Sequence, residues 1–205
     1  MNNIFFDWSG TIKDAFFAHH WVVDGIFKKL GKTGISEIEL KNEWVEPYMN
    51  FFNKYFPSMT VDEEKELYSS FVYSNNYPGS VPINGMLEVV NELRQQGHNL
   101  FLVTSDIESS VTKEINEYKL NNIFTKIYAE VYDKSRPISD TIKSEGFDKD
   151  KTYLIGDSTN EIKVAKKVGI KSIAVTWGFT LKDKLLAEDP DFVVEKPSDM
   201  LDLLK

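Results

Sequence analysis

The chain has 205 residues, of which 41% are hydrophobic and 27% are charged, proportions typical of a globular protein. It contains no cysteine, which excludes disulfide bonds, thiolate catalysis and thiolate metal ligation. Its net charge of −8 opposes binding to phosphate backbones, so we expect no nucleic-acid partner. No apolar run approaches the roughly 18 residues of a membrane span, and the N-terminus lacks the basic region and cleavage site of a secretory signal. We therefore expect a cytoplasmic protein with no membrane partner.

The first structural signal is an apolar segment, Ile4-Phe5-Phe6, that runs directly into Asp7-Trp8-Ser9-Gly10-Thr11. This pattern predicts a short buried strand that ends at Asp7 and is followed by a tight turn. Taken alone, Asp7 is explained most simply as a carboxylate that accepts hydrogen bonds within that turn.

The next segment, up to about Tyr77, has a helical pattern and many aromatic residues, most of which we expect to form its core. Glycines and a proline separate three predicted helices, and a Pro-Gly-Ser linker follows them. The predicted helices are Ala15–Leu30, Glu37–Tyr55 and Val61–Tyr73, and the linker is Pro78–Pro82.

Beyond the linker, short apolar strands alternate with helices, which indicates a parallel sheet covered on both faces. We therefore predict an α/β fold, a Rossmann-like three-layer core with an inserted all-helical cap. The core domain would comprise residues 1–13 and 81–205, and the cap residues 14–80. The further predicted strands are Leu100–Val103, Ile127–Ala129, Tyr153–Ile155, Ser172–Val175 and Phe192–Val194; the predicted helices are Asn84–Gln96, Ser109–Lys119, Ser139–Ser144, Glu161–Val168 and Ser198–Leu204.

Sites in parallel sheets form at the carboxyl ends of the strands, where this sequence places several polar residues. Thr104-Ser105 and Asp157 directly follow strands, Lys134 lies just beyond another, and Glu161 begins the helix after Asp157. A hydroxyl at a helix start can hold a phosphoryl oxygen, and two carboxylates so placed can bind Mg²⁺. Each has a simpler explanation: a turn at Thr104-Ser105, a surface lysine at Lys134, and a helix cap with a dipole-favoured acid at Glu161.

The order of these elements is more specific than any one of them. An apolar strand with Asp-x-x-Gly-Thr is followed by a strand with Thr-Ser, then by Lys134, and then by a strand with Gly-Asp-x-x-x-Glu. This order resembles the four motifs of the haloacid dehalogenase superfamily over the whole chain. The segments Gly156–Ile162, Ala174–Gly178 and Pro190–Val194 resemble members of the phosphoglycolate phosphatase type.

The resemblance implies a Mg²⁺-dependent phosphohydrolase that acts on a small phosphorylated metabolite, as a monomer or homodimer. Asp7 would attack phosphorus and form an aspartyl-phosphate. Lys134 would pair with the transferred phosphate and with Asp7. The remaining implied roles are phosphate binding by Thr104, Ser105 and Gly10, and Mg²⁺ ligation by Asp7, the backbone carbonyl of Ser9, Asp157 and, directly or through water, Glu161.

The sequence departs from the family pattern at Ser9, because phosphatases of this superfamily usually read Asp-x-Asp-Gly-Thr. The second Asp protonates the leaving group and then activates water, a contribution typically worth about 10²–10⁴-fold. Three interpretations stay open. The enzyme is a phosphatase with another proton donor, for which His19 and His20 are candidates, or with a substrate whose leaving group needs none.

Alternatively, it resembles phosphonoacetaldehyde hydrolase, which reads Asp-Trp-Ala-Gly-Thr, cleaves a C–P bond of a phosphonate and uses a cap lysine. Cap lysines are present, although none lies in a segment that matches that family's. In the third interpretation the chain is a weakly active relative that binds a phosphorylated ligand or a protein. The cap lysines are Lys28, Lys29, Lys32, Lys41 and Lys54.

Overall fold

The computed structural model describes residues 1–45 and 48–205. The chain divides into two compact units, Met1–Asp14 with Val81–Lys205 and Ala15–Ser80. The strands are β1 (Asn3–Phe6), β2 (Lys13–Asp14), β3 (Val81–Pro82), β4 (Asn99–Val103), β5 (Lys126–Tyr128), β6 (Thr152–Gly156), β7 (Lys171–Val175) and β8 (Phe192–Val194). The helices are α1 (Phe16–Lys29), α2 (Glu37–Glu43), α3 (Met49–Tyr55), α4 (Val61–Val72), α5 (Met86–Gln95), α6 (Glu108–Glu117), α7 (Ser135–Glu145), α8 (Thr159–Val168), α9 (Lys182–Ala187) and α10 (Asp199–Leu203).

The first unit is built on a sheet with the strand order β5-β4-β1-β6-β7-β8, in which every neighbouring pair is parallel. Phe6, the last residue of β1, lies opposite Leu102 on one side and Ile155 on the other. The predicted α/β class with a parallel sheet is therefore confirmed. Because parallel strands end at the same edge, this register brings the residues that follow β1, β4 and β6 together.

Both faces of the sheet are buried, since alternate side chains of each strand point to opposite sides. On one face, Ile4 and Phe6 of β1 join a hydrophobic cluster with residues of α5 and α10, such as Met86 and Met200. On the other face, Phe5 stacks on Phe101 with ring centroids 4.6 Å apart, in a cluster with residues of α7 and α8. Helices therefore cover the sheet on both sides and make three layers.

Two short elements of the fold were not predicted from the sequence. The predicted linker Pro78–Pro82 contributes β3, which pairs antiparallel with β2, so that Asp14 lies opposite Val81. A two-residue pair of this kind has no periodicity that a sequence could show. The helix α9 was also not predicted, because its six residues are too few for a clear helical pattern.

The predicted single helix Glu37–Tyr55 was wrong, because the structure has α2 and α3 there instead. The helix α2 ends at Glu43, and the following residue, Trp44, has an extended backbone with φ −61° and ψ 124°. Trp44 and Val45 both have lower helix propensity than the charged residues before them. The part of this prediction at positions 46–47 lies outside the described residues.

The second unit consists of α1 to α4 in its described residues. Two of its helices begin with side-chain caps: Ser36 accepts a hydrogen bond from the Glu39 backbone N–H, and Thr60 forms a capping box with Glu63. Its aromatic core includes Phe27, whose ring lies 4.8 Å from that of Tyr55 and 6.0 Å from that of Phe51. Four aromatic residues of this unit, Phe16, Phe27, Phe51 and Phe52, are buried as expected of a core, whereas Phe17 and Tyr73 are exposed.

Across both described ranges, none of the helices has the length and hydrophobicity that a membrane-spanning segment requires.

Candidate active site

The sheet edge formed by the ends of β1 and β6 positions the first two candidate residues. The Asp7 backbone N–H donates to the Ile155 carbonyl at 2.9 Å, which extends the β1–β6 pairing one residue beyond the strand. Asp157 follows β6 directly. The backbone thus holds the two aspartates side by side, and both are buried.

Lys134 connects this edge to α8. It occupies the N-cap position of α7, and its ammonium donates to Asp7 Oδ1 and to Glu161 Oε1, each at 2.6 Å. The side chains of all three residues are at most 10% exposed. Among the ion pairs of the described residues, this buried Lys134 ammonium is the only cation in contact with Asp7. The structure therefore brings Asp7, Lys134 and Glu161 together.

Asp157 lies in a cradle that only glycine can form. Its Oδ2 atom accepts a hydrogen bond from the Phe179 backbone N–H at 2.6 Å. A Cβ atom added to Gly10 or to Gly178 would come closer than 3.0 Å to Oδ2. Gly10 also has φ +83°, a left-handed conformation that favours glycine. Gly10 was predicted to bind phosphate, and here it makes room for the carboxylate of Asp157.

Glu161 is engaged on both of its carboxylate oxygens. Oε1 accepts from Lys134, and Oε2 accepts from the backbone N–H and hydroxyl of Ser158, completing a capping box at the start of α8. These are the contacts of a helix cap and an ion-pair partner. They support the simpler explanation of Glu161, and its contact with a metal ion, direct or through water, stays a prediction.

The electrostatics of the cluster follow from burial and from an excess of negative charge. Burial raises the pKa of Asp7 to about 6, against the attraction of Lys134, and Glu161 raises it further. Burial raises the pKa of Asp157 to about 8, and the charges of Asp7 and Glu161 add to this effect. Burial also disfavours the Glu161 carboxylate, but Lys134 and Ser158 outweigh it and lower its pKa. Three carboxylates and one ammonium leave the site short of positive charge.

Thr104 and Ser105 follow β4 at the same edge. The Thr104 side chain is buried, and its Oγ1 atom accepts the Asp106 backbone N–H at 3.1 Å, as expected for a turn. Ser105 is exposed. Phosphate binding by these two residues stays a prediction, and the hydroxyl proton of Thr104 remains a potential donor to a phosphoryl oxygen.

A second polar cluster adjoins the first and was not predicted. Ser9 Oγ donates to Asp106 Oδ2 at 2.7 Å, and Lys13 Nζ donates to the same oxygen at 2.8 Å. Lys13 also donates to Glu114 of α6, which accepts from the Trp8 indole N–H at 2.7 Å. The one signal in the sequence was the position of Asp106, two residues after Thr104. Its partners lie more than 90 residues away along the chain, so only the fold reveals them.

The residues at the sheet edge fit a Mg²⁺ ion by the chemistry of their donors. Asp7 and Asp157 offer only oxygen, and the excess negative charge and raised pKa values indicate a place for a cation. Over residues 1–45 and 48–205, no three His, Cys, Asp or Glu side chains form a ready-made metal cluster. Magnesium keeps several water ligands and commonly takes only one or two carboxylates, so two aspartates satisfy it.

His19, one of the two candidate proton donors of α1, is poorly suited to that role. Burial lowers the pKa of His19 to about 4, helped by the charge of His20, so His19 is neutral at pH 7. Its Nδ1 atom lies 3.0 Å from the Tyr68 hydroxyl. His20 donates from Nε2 to the Ile35 carbonyl at 2.8 Å. Both rings thus have structural partners within the helical unit.

The family model of haloacid dehalogenase-like hydrolases matches residues 4–175, a range that contains every candidate residue of the sheet edge. The chain belongs to this family. Sequence relatives of this chain include a phosphoglycolate phosphatase from Synechococcus elongatus, 29% identical over 57% of the chain and 56% of the relative. They also include the pyrophosphatase PpaX from Halalkalibacterium halodurans, 28% identical over 60% of each chain.

The alignments therefore span somewhat more than half the length of these two relatives. A solved structure similar to this chain is a haloacid dehalogenase-like family hydrolase from Streptococcus pneumoniae. It superposes with a TM-score of 0.80 at 22% identity, over 100% of this chain and 99% of the other. At this level of identity the likeness shows a common fold.

Proposed function

We propose that the protein is a Mg²⁺-dependent phosphohydrolase that acts on a small phosphorylated metabolite through an aspartyl-phosphate on Asp7. The observation that carries the proposal is the buried contact between Lys134 and Asp7, at the edge where Asp157 also lies. A carboxylate nucleophile needs nearby positive charge, because it must approach a phosphate group that is itself negative. The arrangement meets that need with an ammonium and a second carboxylate able to hold a cation.

In this mechanism Asp7 attacks phosphorus, the bond to the leaving group breaks, and the phosphoryl group is carried by the Asp7 carboxylate. Lys134 holds Asp7 in place and faces the incoming negative charge. The hydroxyl of Thr104 and the N–H groups of its turn bind phosphoryl oxygens. Water then attacks the aspartyl-phosphate and releases inorganic phosphate. Asp7, Asp157 and the Ser9 carbonyl would hold Mg²⁺, which neutralises phosphate charge when bound.

The helical unit Ala15–Ser80 is proposed as the cap of the core domain. The substrate class rests on the names of the relatives, a phosphoglycolate phosphatase and a pyrophosphatase, together with the family. Both names denote hydrolysis of small phosphorylated molecules. We therefore propose a substrate of that size, and expect neither nucleic acid nor membrane as a partner.

A phosphonoacetaldehyde-hydrolase-like activity receives no support from the lysines of the helical unit. A lysine that forms a Schiff base is usually desolvated, which lowers its pKa. Lys28, Lys29, Lys32 and Lys54 are exposed, and the Lys41 ammonium lies 4.4 Å from the Phe16 ring centroid. Retention of Asp7, Lys134 and Asp157 in one buried cluster likewise gives no support to a role in ligand binding alone.

The test is hydrolysis of p-nitrophenyl phosphate and of a panel of phosphorylated metabolites, with phosphonoacetaldehyde included. We expect turnover that requires Mg²⁺ and is lost in Asp7→Asn. Asp14→Asn, at the end of β2, is the matched control and should retain turnover. Wild-type protein without Mg²⁺-dependent turnover on any phosphate ester or anhydride would overturn the proposal.

A further inference from the structure

The carboxylate of Asp106 lies against Ser9, the residue that departs from the family pattern. The family pattern places a second aspartate two residues after the nucleophile, and this chain has a serine there. The Ser9 hydroxyl nevertheless contacts a carboxylate, because Asp106 reaches it from the loop after β4 with an oxygen–oxygen distance of 2.7 Å. A carboxylate from the neighbouring strand end thus contacts the hydroxyl of the residue that stands at the family's second aspartate position.

Three independent contacts hold Asp106 in this position. Its backbone N–H donates to Thr104 Oγ1 at 3.1 Å, which fixes the turn after β4. Its Oδ2 atom accepts from Ser9 and from Lys13, whose ammonium is in turn anchored by Glu114. Lys13 is buried, with 7% of its side chain exposed, so the pair is well shielded from solvent on that side. The side chain of Asp106 is 21% exposed, which leaves a route for protons to water.

We propose that Asp106 accepts, through the hydroxyl of Ser9, the proton of the water that hydrolyses the aspartyl-phosphate. This inference rests on the proposed function. In the step, the water oxygen bonds to phosphorus and the bond between phosphorus and Asp7 breaks, returning its electron pair to the Asp7 carboxylate. A proton of the water passes to Ser9 Oγ while the Ser9 hydroxyl proton passes to Asp106 Oδ2. Inorganic phosphate leaves, and Asp106 then releases its proton to solvent.

The role is confined to the second half of the reaction. Taking a proton from the attacking water belongs to that half, and Asp106, paired with Lys13, is the carboxylate in contact with Ser9. p-Nitrophenyl phosphate isolates the second half, since its leaving group needs no proton. Loss of the proton acceptor should therefore slow hydrolysis of the intermediate and leave its formation unchanged.

The experiment is rapid-quench kinetics with p-nitrophenyl phosphate and Mg²⁺, with the phosphorylated protein followed by intact-mass spectrometry. We expect Asp106→Asn to release one equivalent of p-nitrophenol in a burst and to accumulate phosphorylated protein. Its steady-state turnover should be slower than that of the wild type by a factor of about 10² or more. Asp106→Glu should recover part of the rate. Glu114→Gln is the control, because it disturbs the same network without touching Ser9. It should show neither burst nor accumulation.

The exchange variant Ser9→Asp with Asp106→Ser returns the carboxylate to the usual position, and we expect it to hydrolyse the intermediate faster than Asp106→Ser alone. Circular dichroism spectra and melting temperatures should show that each variant is folded. Fast turnover without accumulation in folded Asp106→Asn, or equal accumulation in Glu114→Gln, would overturn the inference while leaving the proposed function intact. Wild-type protein that neither turns over nor becomes phosphorylated would overturn both.

Discussion

Lys134 Nζ and Asp7 Oδ1 lie 2.6 Å apart in the folded protein, although 127 residues separate them in the chain. Both side chains are buried, and the Lys134 ammonium also pairs with Glu161. Because burial disfavours an isolated charge, the lysine favours the ionised form of both carboxylates and lowers their pKa values. This one ammonium therefore supports both the stability of the site and the readiness of Asp7 as a nucleophile.

Replacing Lys134 by Met should strongly affect both properties. Removing one partner of a buried ion pair typically costs about 3–5 kcal/mol, and here two carboxylates lose their cation. The pKa of Asp7 should rise further above about 6, which lowers the fraction of ionised nucleophile at pH 7. Urea unfolding and p-nitrophenyl phosphate turnover measure the two effects.

Lys143→Met, an exposed position on the same helix, is the control for this experiment and should be close to neutral. A Lys134→Met protein that keeps wild-type stability and wild-type turnover would contradict the assigned role of the ion pair.

Mg²⁺ should stabilise the protein more at about pH 8.5 than at about pH 5. Asp7 and Asp157 have pKa values raised from 3.8 to about 6 and about 8, so above pH 4 the folded state holds protons that the unfolded chain has released. Their contribution to stability is therefore present at low pH and is lost as the pH rises through about 6 and about 8. A divalent cation replaces the missing positive charge once these protons have left.

The measurement is the shift of the melting temperature on adding Mg²⁺ across this pH range. Asp157→Asn is the informative variant, because it removes the more strongly shifted carboxylate and should remove most of the Mg²⁺ effect. A shift that is equal at both pH values would argue against a cation bound by these aspartates.

Gly10→Ala should disturb the site beyond the cost of its backbone conformation. An alanine in the left-handed region costs about 1–2 kcal/mol wherever it stands. At Gly10 the added Cβ would also push on Asp157 Oδ2, whereas at Gly85, with φ +82°, it would meet no atom within 4 Å. The two variants are thus matched in backbone strain and differ in the contact.

We expect the melting temperature of Gly10→Ala to fall further than that of Gly85→Ala, and its Mg²⁺-induced shift to be lost. Equal behaviour of the two variants in thermal melts with and without Mg²⁺ would show that the cradle around Asp157 is unimportant.

Glu161→Gln should weaken Mg²⁺ binding less than Asp157→Asn does. Both carboxylate oxygens of Glu161 are taken by Lys134 and Ser158, so its effect on a cation is that of a nearby charge. Asp157 has only a backbone N–H as its described hydrogen-bond partner and can turn an oxygen to the ion. Calorimetric titration with Mg²⁺ distinguishes the two, and a larger loss of affinity in Glu161→Gln would make Glu161 a direct ligand.

The order of apolar strands and helices was sufficient to predict the fold class. Each strand is a short hydrophobic run because both faces of a parallel sheet are buried. Such a run can be recognised in the sequence of the strand alone. Asp7, Thr104 and Asp157 could be recognised as candidates for the same reason, since each follows such a run. The helices α7 and α8 end at Gly146 and Gly169, which adopt the left-handed conformation that closes a helix, and a glycine at such a point is a signal that a sequence shows.

Tertiary structure alone decided which polar groups meet. The sequence indicated that Ser9 lacks the usual carboxylate, but it could not indicate that Asp106 lies against the Ser9 hydroxyl or that Lys13 holds it there. It also left Glu161 between a metal ligand and a helix cap, and the fold engages it with Lys134 and Ser158. The physical reason is that hydrophobic periodicity is a local property of the chain. A hydrogen bond between distant residues depends on strand order and register, which only the folded sheet determines.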